Sequence, residues 1–294
     1  MGSTLRIASG VVILGLMVTG QAMAQTTSSP ASGAPAPVVK EMRGQLGASI
    51  NNAGLQQAFE WTWRRGINTS TNPLLSEAHV AAGGSAAGTP ASLRGGAWVE
   101  IAPVSFFVLR AGVDPSQYFG NFDSVTSFDS RQDAFDTDAR KARANAKAGR
   151  TTKFYLSPTL QLRVGHVAGQ SSLDLEHWSS TAAGPFFYEP TRDTLLAASG
   201  DHLATLSTVV LYEHEQRSGG KLSVGPMHSL MRVHSSATNQ VQKAGVVLIQ
   251  QMSGRHLGLS APRATVLVAR YLDDSSKQGQ WSAAVAIGFT LKHR

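Results

Sequence analysis

From Ala283 to Leu291 the chain alternates without a break. Ala283, Val285, Ile287, Phe289 and Leu291 fall on one face of an extended strand, and Ala284, Ala286, Gly288 and Thr290 fall on the other. Side chains two residues apart in a strand point the same way, so a period of two describes a strand with one apolar face and one small or polar face. The same period returns upstream. Leu55, Gln57, Phe59, Trp61 and Trp63 oppose Gln56, Ala58, Glu60, Thr62 and Arg64; Leu156, Pro158, Leu160, Leu162 and Val164 oppose Ser157, Thr159, Gln161, Arg163 and Gly165. A chain patterned like this is all-β.

The N-terminus reads as an export signal. Arg6 supplies the positive charge, Ile7 to Val18 are mainly apolar, and Ala22-Met23-Ala24 is a small-x-small cleavage site. That apolar stretch is too short to span a bilayer, which takes roughly 20 residues. No later apolar run reaches that length, so insertion in a membrane has to be by strands. The expected organisation is a signal peptide over 1–24, a flexible Ser/Thr/Ala/Pro-rich periplasmic leader over 25–40, and one β-barrel domain over 41–294. The chain has no cysteine, which excludes disulfides and thiolate metal sites. Its formal charge of +7 is scattered through alternating segments of an exported chain. This points away from nucleic acid and toward the anionic lipopolysaccharide surface of a Gram-negative type cell envelope.

Candidate strands lie near 43–50, 55–64, 74–81, 94–102, 105–114, 153–164, 169–178, 203–215, 221–233, 241–251, 263–272 and 281–291. Their number is even, as a transmembrane antiparallel up-and-down barrel with both ends in the periplasm requires; ten strands is the alternative. The two longest connections, near 118–152 and 179–202, then fall on the outer side, with short turns such as Arg217-Ser218-Gly219-Gly220 and Ala102-Pro103-Val104 on the inner side. A short helix is expected over Ala139 to Lys147. Phe59, Trp61, Trp63, Val285, Ile287 and Phe289 are expected to face lipid, with Trp61, Trp63, Tyr155 and Tyr271 as candidates for the interfacial aromatic girdles. The last strand resembles the C-terminal sorting strand of bacterial outer-membrane β-barrel proteins, in which alternating apolar residues end in an aromatic one. Phe289 is that aromatic, although Lys292-His293-Arg294 follow it. The resemblance implies delivery to the outer membrane by the barrel-assembly machinery.

The opposite strand faces place Glu60, Arg64, Glu100, Arg110, Arg163, Asp174, Glu176 and Arg270 in the lumen. Both signs are present, so carboxylates and guanidinium groups can pair across a small polar interior, or can form a path past which solutes move. In the long connection, Asp133-x-x-Asp136-x-Asp138 offers oxygen ligands for Ca²⁺. The spacing does not match an EF-hand, and pairing with the basic residues that follow is the simpler reading. No cofactor or metal is called for.

The search for catalysis yields one arrangement. His234 and Ser236 share a strand face with Asn239 close by, so an imidazole can take the proton of a serine. This resembles the H-x-S arrangement of outer-membrane phospholipase A and the lipid A deacylase, in which Asn follows the serine directly; here Ala237 stands in that place. The expected function is a porin-like small-solute channel or a surface-binding barrel, passive in mechanism. Lipid ester hydrolysis and a structural barrel without transport are the alternatives.

Overall fold

The computed structural model describes residues 38–51, 54–68, 70–121, 124–143, 145, 147–236, 239–256 and 259–293. The expected signal peptide and residues 25–37 of the expected leader lie outside them, while residues 38–40 of that leader belong to a strand. The first part of the chain forms β1 (Val38–Ile50), β2 (Gly54–Gly66), β3 (His79–Thr89), β4 (Ser92–Val104), β5 (Phe107–Tyr118), the short β6 (Ser127–Phe128) and α1 (Thr137–Arg143). There follow β7 (Gly149–Val164), β8 (Val167–Ser180), β9 (Phe186–Glu189), β10 (Thr194–Ala197) and β11 (Asp201–Glu215). The chain ends with β12 (Lys221–Val233), β13 (Gln240–Gln251), β14 (Arg255–His256), β15 (Leu259–Asp273) and β16 (Trp281–His293).

Twelve long strands, all but β6, β9, β10 and β14, pair antiparallel with their chain neighbours, and β16 returns to pair with β1, closing a twelve-stranded barrel. Closure leaves no edge. In hydrocarbon an unpaired edge would strand a row of N–H and C=O groups at several kcal/mol each, which is why strands cross membranes only as closed cylinders. The seam is reinforced on the outer face. Gly44 of β1 sits in register between Phe59 of β2 and Phe289 of β16, and a Cβ on Gly44 would overlap the Phe289 ring.

The outer wall carries Leu55, Trp61, Trp63, Leu156, Leu160, Leu162, Val246, Val266, Val285 and Ile287, all exposed. A continuous band of this kind suits lipid and not water. Both described chain ends lie at one rim, here called the terminal rim, with short turns at Ser105-Phe106 and Gly165-His166. Gly165 takes φ 57, the left-handed value that a two-residue hairpin requires. The long segments 119–148 and 181–200 lie at the opposite, distal rim.

Four local expectations are corrected. The third strand runs from His79 to Thr89 and not over 74–81, because residues 72–78 form hydrogen-bonded turns before the strand begins. Ala102-Pro103-Val104 continues β4, and the turn follows it. The helix occupies Thr137–Arg143, started by Asp136, whose carboxylate accepts from the amides of Asp138 and Ala139 at 3.0 and 2.9 Å. Tyr155 and Tyr271 are not girdle residues. Tyr155 shares the inward face of β7 with Lys153 and lines the lumen, and Tyr271 is buried inside β15.

Candidate functional site: a charged lumen beneath a packed cap

One wall of the lumen, from β2 to β8, is charged. Arg110 on β5 bridges two carboxylates, its Nη1 at 3.0 Å from Glu60 Oε2 and its Nε donating to Glu100 Oε2 at 2.8 Å. His79 Nε2 stands 3.1 Å from the other Glu100 oxygen, and the guanidinium lies 3.9 Å over the Trp98 ring. Nearer the distal rim, Lys153 Nζ meets Asp114 Oδ2 at 2.9 Å and Glu176 Oε1 at 3.7 Å. Trp178 Nε1 donates to Glu176 Oε2 at 2.9 Å. Small residues make room for this arrangement: a Cβ at Gly83 would overlap Trp98, one at Gly112 would overlap Tyr155, and one at Gly96 would overlap Asp114.

The facing wall, from β11 to β16, is apolar over its middle stretch, with Arg263 of β15 lining the cavity toward the terminal rim. Val209, Leu211, Met227, Val247, Ile249, Leu267 and Ala269 turn inward as one cluster, with Ala284 against it. Between the walls lies a cavity of about 290 Å³. Its lining thus offers paired charges on one side and a mainly apolar patch, edged by Ser207, Thr265 and Arg263, on the other.

The distal mouth is filled by a cap. β6, β9 and β10 form a small three-stranded sheet. Its Phe187 and Leu196, with Val125 and Ala198, pack on the inward residues Tyr118, Trp178, Leu203, Met231 and Val233 at the strand ends. Phe128, Phe135, Tyr188 and Leu195 make a second cluster within the cap, and Arg140 and Arg143 lie 4.1 and 4.3 Å over the Tyr188 and Phe128 rings. Polar ties fix the cap to the barrel. Tyr118 Oη donates to Glu189 Oε1 at 2.6 Å, Lys277 from the β15–β16 connection pairs with Asp193, and the amide of Ala197 donates to Asp201 Oδ2 at 2.9 Å. Arg192 reaches furthest: it enters the cavity and grips Glu176 with two nitrogens, Nε donating at 2.9 Å. Glu176 therefore binds wall and cap together.

The structure places Glu60, Glu100, Arg110, Asp174 and Glu176 on the cavity wall. Arg64 lies on the same face of β2 as Glu60, toward the terminal rim, and Arg163 pairs with Glu213 Oε2 at 2.9 Å near that rim. Arg270 is a correction. It is exposed on the outer face of β15, where its Nε donates to the Gly279 carbonyl at 3.1 Å. The inward positions of that strand are the odd ones, Arg263, Thr265, Leu267, Ala269 and Tyr271, so the arginine of β15 that lines the cavity is Arg263. Phe59, Trp61, Trp63, Val285, Ile287 and Phe289 lie on outward faces, Phe59 and Phe289 flanking Gly44. Sequence reading missed Asp114, Lys153, Trp98 and His79, although each sits at an alternating position. It missed Arg192 for want of any signal, since a cap residue has no period to betray where it points.

The remaining sequence candidates are committed elsewhere. Ser236 Oγ accepts from the Asn239 amide at 3.2 Å within the β12–β13 turn, and the Asn239 side chain donates to the Leu195 carbonyl, holding the cap. His234 stands against His202, ring centroids 6.4 Å apart. Asp133 pairs with Arg143 at 2.8 Å and Asp136 caps α1, so these carboxylates are not directed at a common ion. Among the described residues no three His, Asp or Glu side chains converge as metal ligands.

No protein-family model and no curated protein matches the chain. Solved structures similar to it include the beta domain of the Bordetella autotransporter BrkA, with a TM-score of 0.46 at 10% identity, covering 88% of this chain and 100% of that one. The translocator domain of the autotransporter NalP from Neisseria meningitidis has a TM-score of 0.35 at 11% identity, covering 89% and 90%. OmpT, an outer membrane protein of Vibrio cholerae, has a TM-score of 0.36 at 8% identity, covering 87% and 98%. The protein has the fold of an outer-membrane β-barrel. Its closed strand register and apolar outer band establish this independently of those likenesses.

Proposed function

We propose that this barrel sits in the outer membrane with its distal rim outward, and that it admits a small solute carrying both charged and apolar groups, with the cap as its gate. The orientation follows from the placement of both described ends and the short turns at one rim, the side on which barrel-assembly machinery works. The chemistry of the solute follows from the lining. Paired carboxylates and cations on one wall hold a zwitterionic or weakly charged group without selecting strongly by sign, and the opposite wall takes an apolar group.

The observation that carries the gate is the contact between Arg192 and Glu176. It joins the cap, a connection between strands, to a position on the barrel wall, and Lys153 and Trp178 remain on Glu176 when Arg192 leaves. Opening therefore does not strand a bare buried carboxylate. Lipid ester hydrolysis is disfavoured because Ser236 and Asn239 are engaged in the turn and the cap.

Planar-bilayer recording of refolded protein tests the reading. Wild type should be mostly silent with rare openings, and Arg192→Ala should open far more often at unchanged unit conductance. A steadily open wild type, or a variant as silent as wild type, would refute the gate.

A further inference from the structure

Three imidazoles stand in a row on the outer wall, just below the distal rim. His177 on β8 and His202 on β11 are partners across the ladder with ring centroids 4.7 Å apart. The His234 amide, just past β12, donates to the His202 carbonyl at 2.8 Å, and its ring lies edge-on to His202. His202 and His234 are exposed; His177 is half-buried, and its Nδ1 has no hydrogen-bond partner among the described residues. A glycine makes room for that ring. Gly200 has φ 146, and a Cβ there would come within 3.1 Å of His177 Cε1.

The charged groups around the trio are unequal. Arg232 on β12, two residues before His234, is exposed on the same outer surface with its Nε donating to Gln240 Oε1 at 2.7 Å, and Gln240 in turn donates to Asp273 of β15 at 2.7 Å. The nearest carboxylate, Asp201, is buried behind the row and already accepts from Ser235 Oγ and from the amides of Ala197 and His202. Directly beside and beneath the imidazoles, toward the terminal rim, the wall turns apolar: Phe154, Leu175 and Leu206 are exposed there. A row of imidazoles with the Arg232 guanidinium beside it, above an apolar strip, is complementary to one kind of ligand, an acidic headgroup with its acyl chains running down the wall. Metal binding is the competing reading for three histidines, but the described side chains do not converge as ligands.

We propose that His177, His202 and His234, with Arg232, form a binding site on the outer wall for the phosphate of an acylated lipid in the surrounding leaflet. The proposal rests on the outward orientation of the distal rim but not on the gate. Imidazoles gain charge as pH falls, and a phosphate ester draws them further toward the charged form, so affinity should rise in acid. The fixed guanidinium of Arg232 leaves a weaker, pH-independent remainder.

The test uses folded full-length protein in zwitterionic detergent, titrated with diphosphorylated lipid A, with chemically dephosphorylated lipid A, and with inorganic phosphate, at about pH 5.5 and about pH 8. The diphosphorylated lipid should bind about tenfold more tightly at the lower pH. The His177→Gln, His202→Gln, His234→Gln triple variant should lose that difference while keeping a heat-modifiable gel mobility. A milder His202→Gln, His234→Gln pair leaves the packed His177 in place and should lose most of it. Equal affinity for the dephosphorylated lipid would refute the phosphate, and inorganic phosphate binding as tightly as the lipid would refute the acyl strip. A pH dependence that survives in both folded variants would refute the histidines. Silence or opening of the barrel in conductance bears on the gate alone.

Discussion

Ile287 is the seventh of thirteen residues in β16, so it lies near the middle of the membrane band, and its side chain is 58% exposed on the outer wall. Replacing it with Arg sets a guanidinium against hydrocarbon. On outer-membrane barrels that costs about 2–4 kcal/mol at the midplane. Loss of the isoleucine contact with lipid adds about 1–2 kcal/mol, taking roughly half to two-thirds of the value for a fully buried side chain. The sum, about 3–6 kcal/mol, is a large part of the stability of an ordinary domain. The inward neighbour supplies the control. A Cβ on Gly288 meets only the Gly44 carbonyl oxygen, at 3.7 Å, so Gly288→Ala fits in ordinary contact and should change stability by less than about 1 kcal/mol. Refolding into lipid vesicles, followed by urea titration and by the mobility shift on boiling, reads both variants. Ile287→Arg should lower the urea midpoint by more than about 1 M or prevent assembly, while Gly288→Ala should overlay wild type. Equal damage from both would show that the two faces of the strand have been exchanged.

Burial pushes the Glu189 carboxyl in the cap above the usual carboxylate range, against the lowering effect of the hydroxyls of Tyr118 and Thr191. A raised acid stabilises the closed cap fully below its unfolded value and loses that contribution as pH rises through the folded one. Channel opening should therefore increase toward higher pH, and Glu189→Gln should flatten the dependence; an unchanged pH profile in the variant would count against it. Gly44→Val should weaken the seam between β1 and β16 by displacing Phe289, seen as a lower temperature for the gel shift, and Phe289→Ala in the same chain should restore part of the loss. Ser236→Ala should leave both the fold and background-level release of fatty acid from phospholipid unchanged; a serine-dependent release by wild type would revive the hydrolase reading.

Much of the barrel could be read from the sequence because a strand with lipid on one side and a polar lumen on the other must alternate. β2, β7 and β16 meet that condition, and their faces follow from residue parity alone: Trp61 and Ile287 outward, Glu60 and Ala286 inward. β15 does not meet it. Its inner residues Leu267, Ala269 and Tyr271 are as apolar as its outer Val266 and Val268, since this part of the lumen is itself a hydrophobic wall. Without contrast between faces the parity is silent, which is how Arg270 came to be expected inside. β3 fails for a related reason, its residues being Ala and Gly on both faces, with Gly83 on the inner one leaving room for Trp98. Tyr155 belongs to a well-patterned strand, but an aromatic on the polar face reads as a girdle residue until Gly112 is seen to leave it a niche indoors. The long connections and a short helix could be expected at the distal rim, but their folding into a packed cap lay beyond the sequence. Glu176 was legible as a lumen carboxylate, yet its partner Arg192 comes from a connection with no repeating geometry. Local chemistry decides which face of a strand is wet; only the three-dimensional path of the chain decides what comes back to fill the space between the strands.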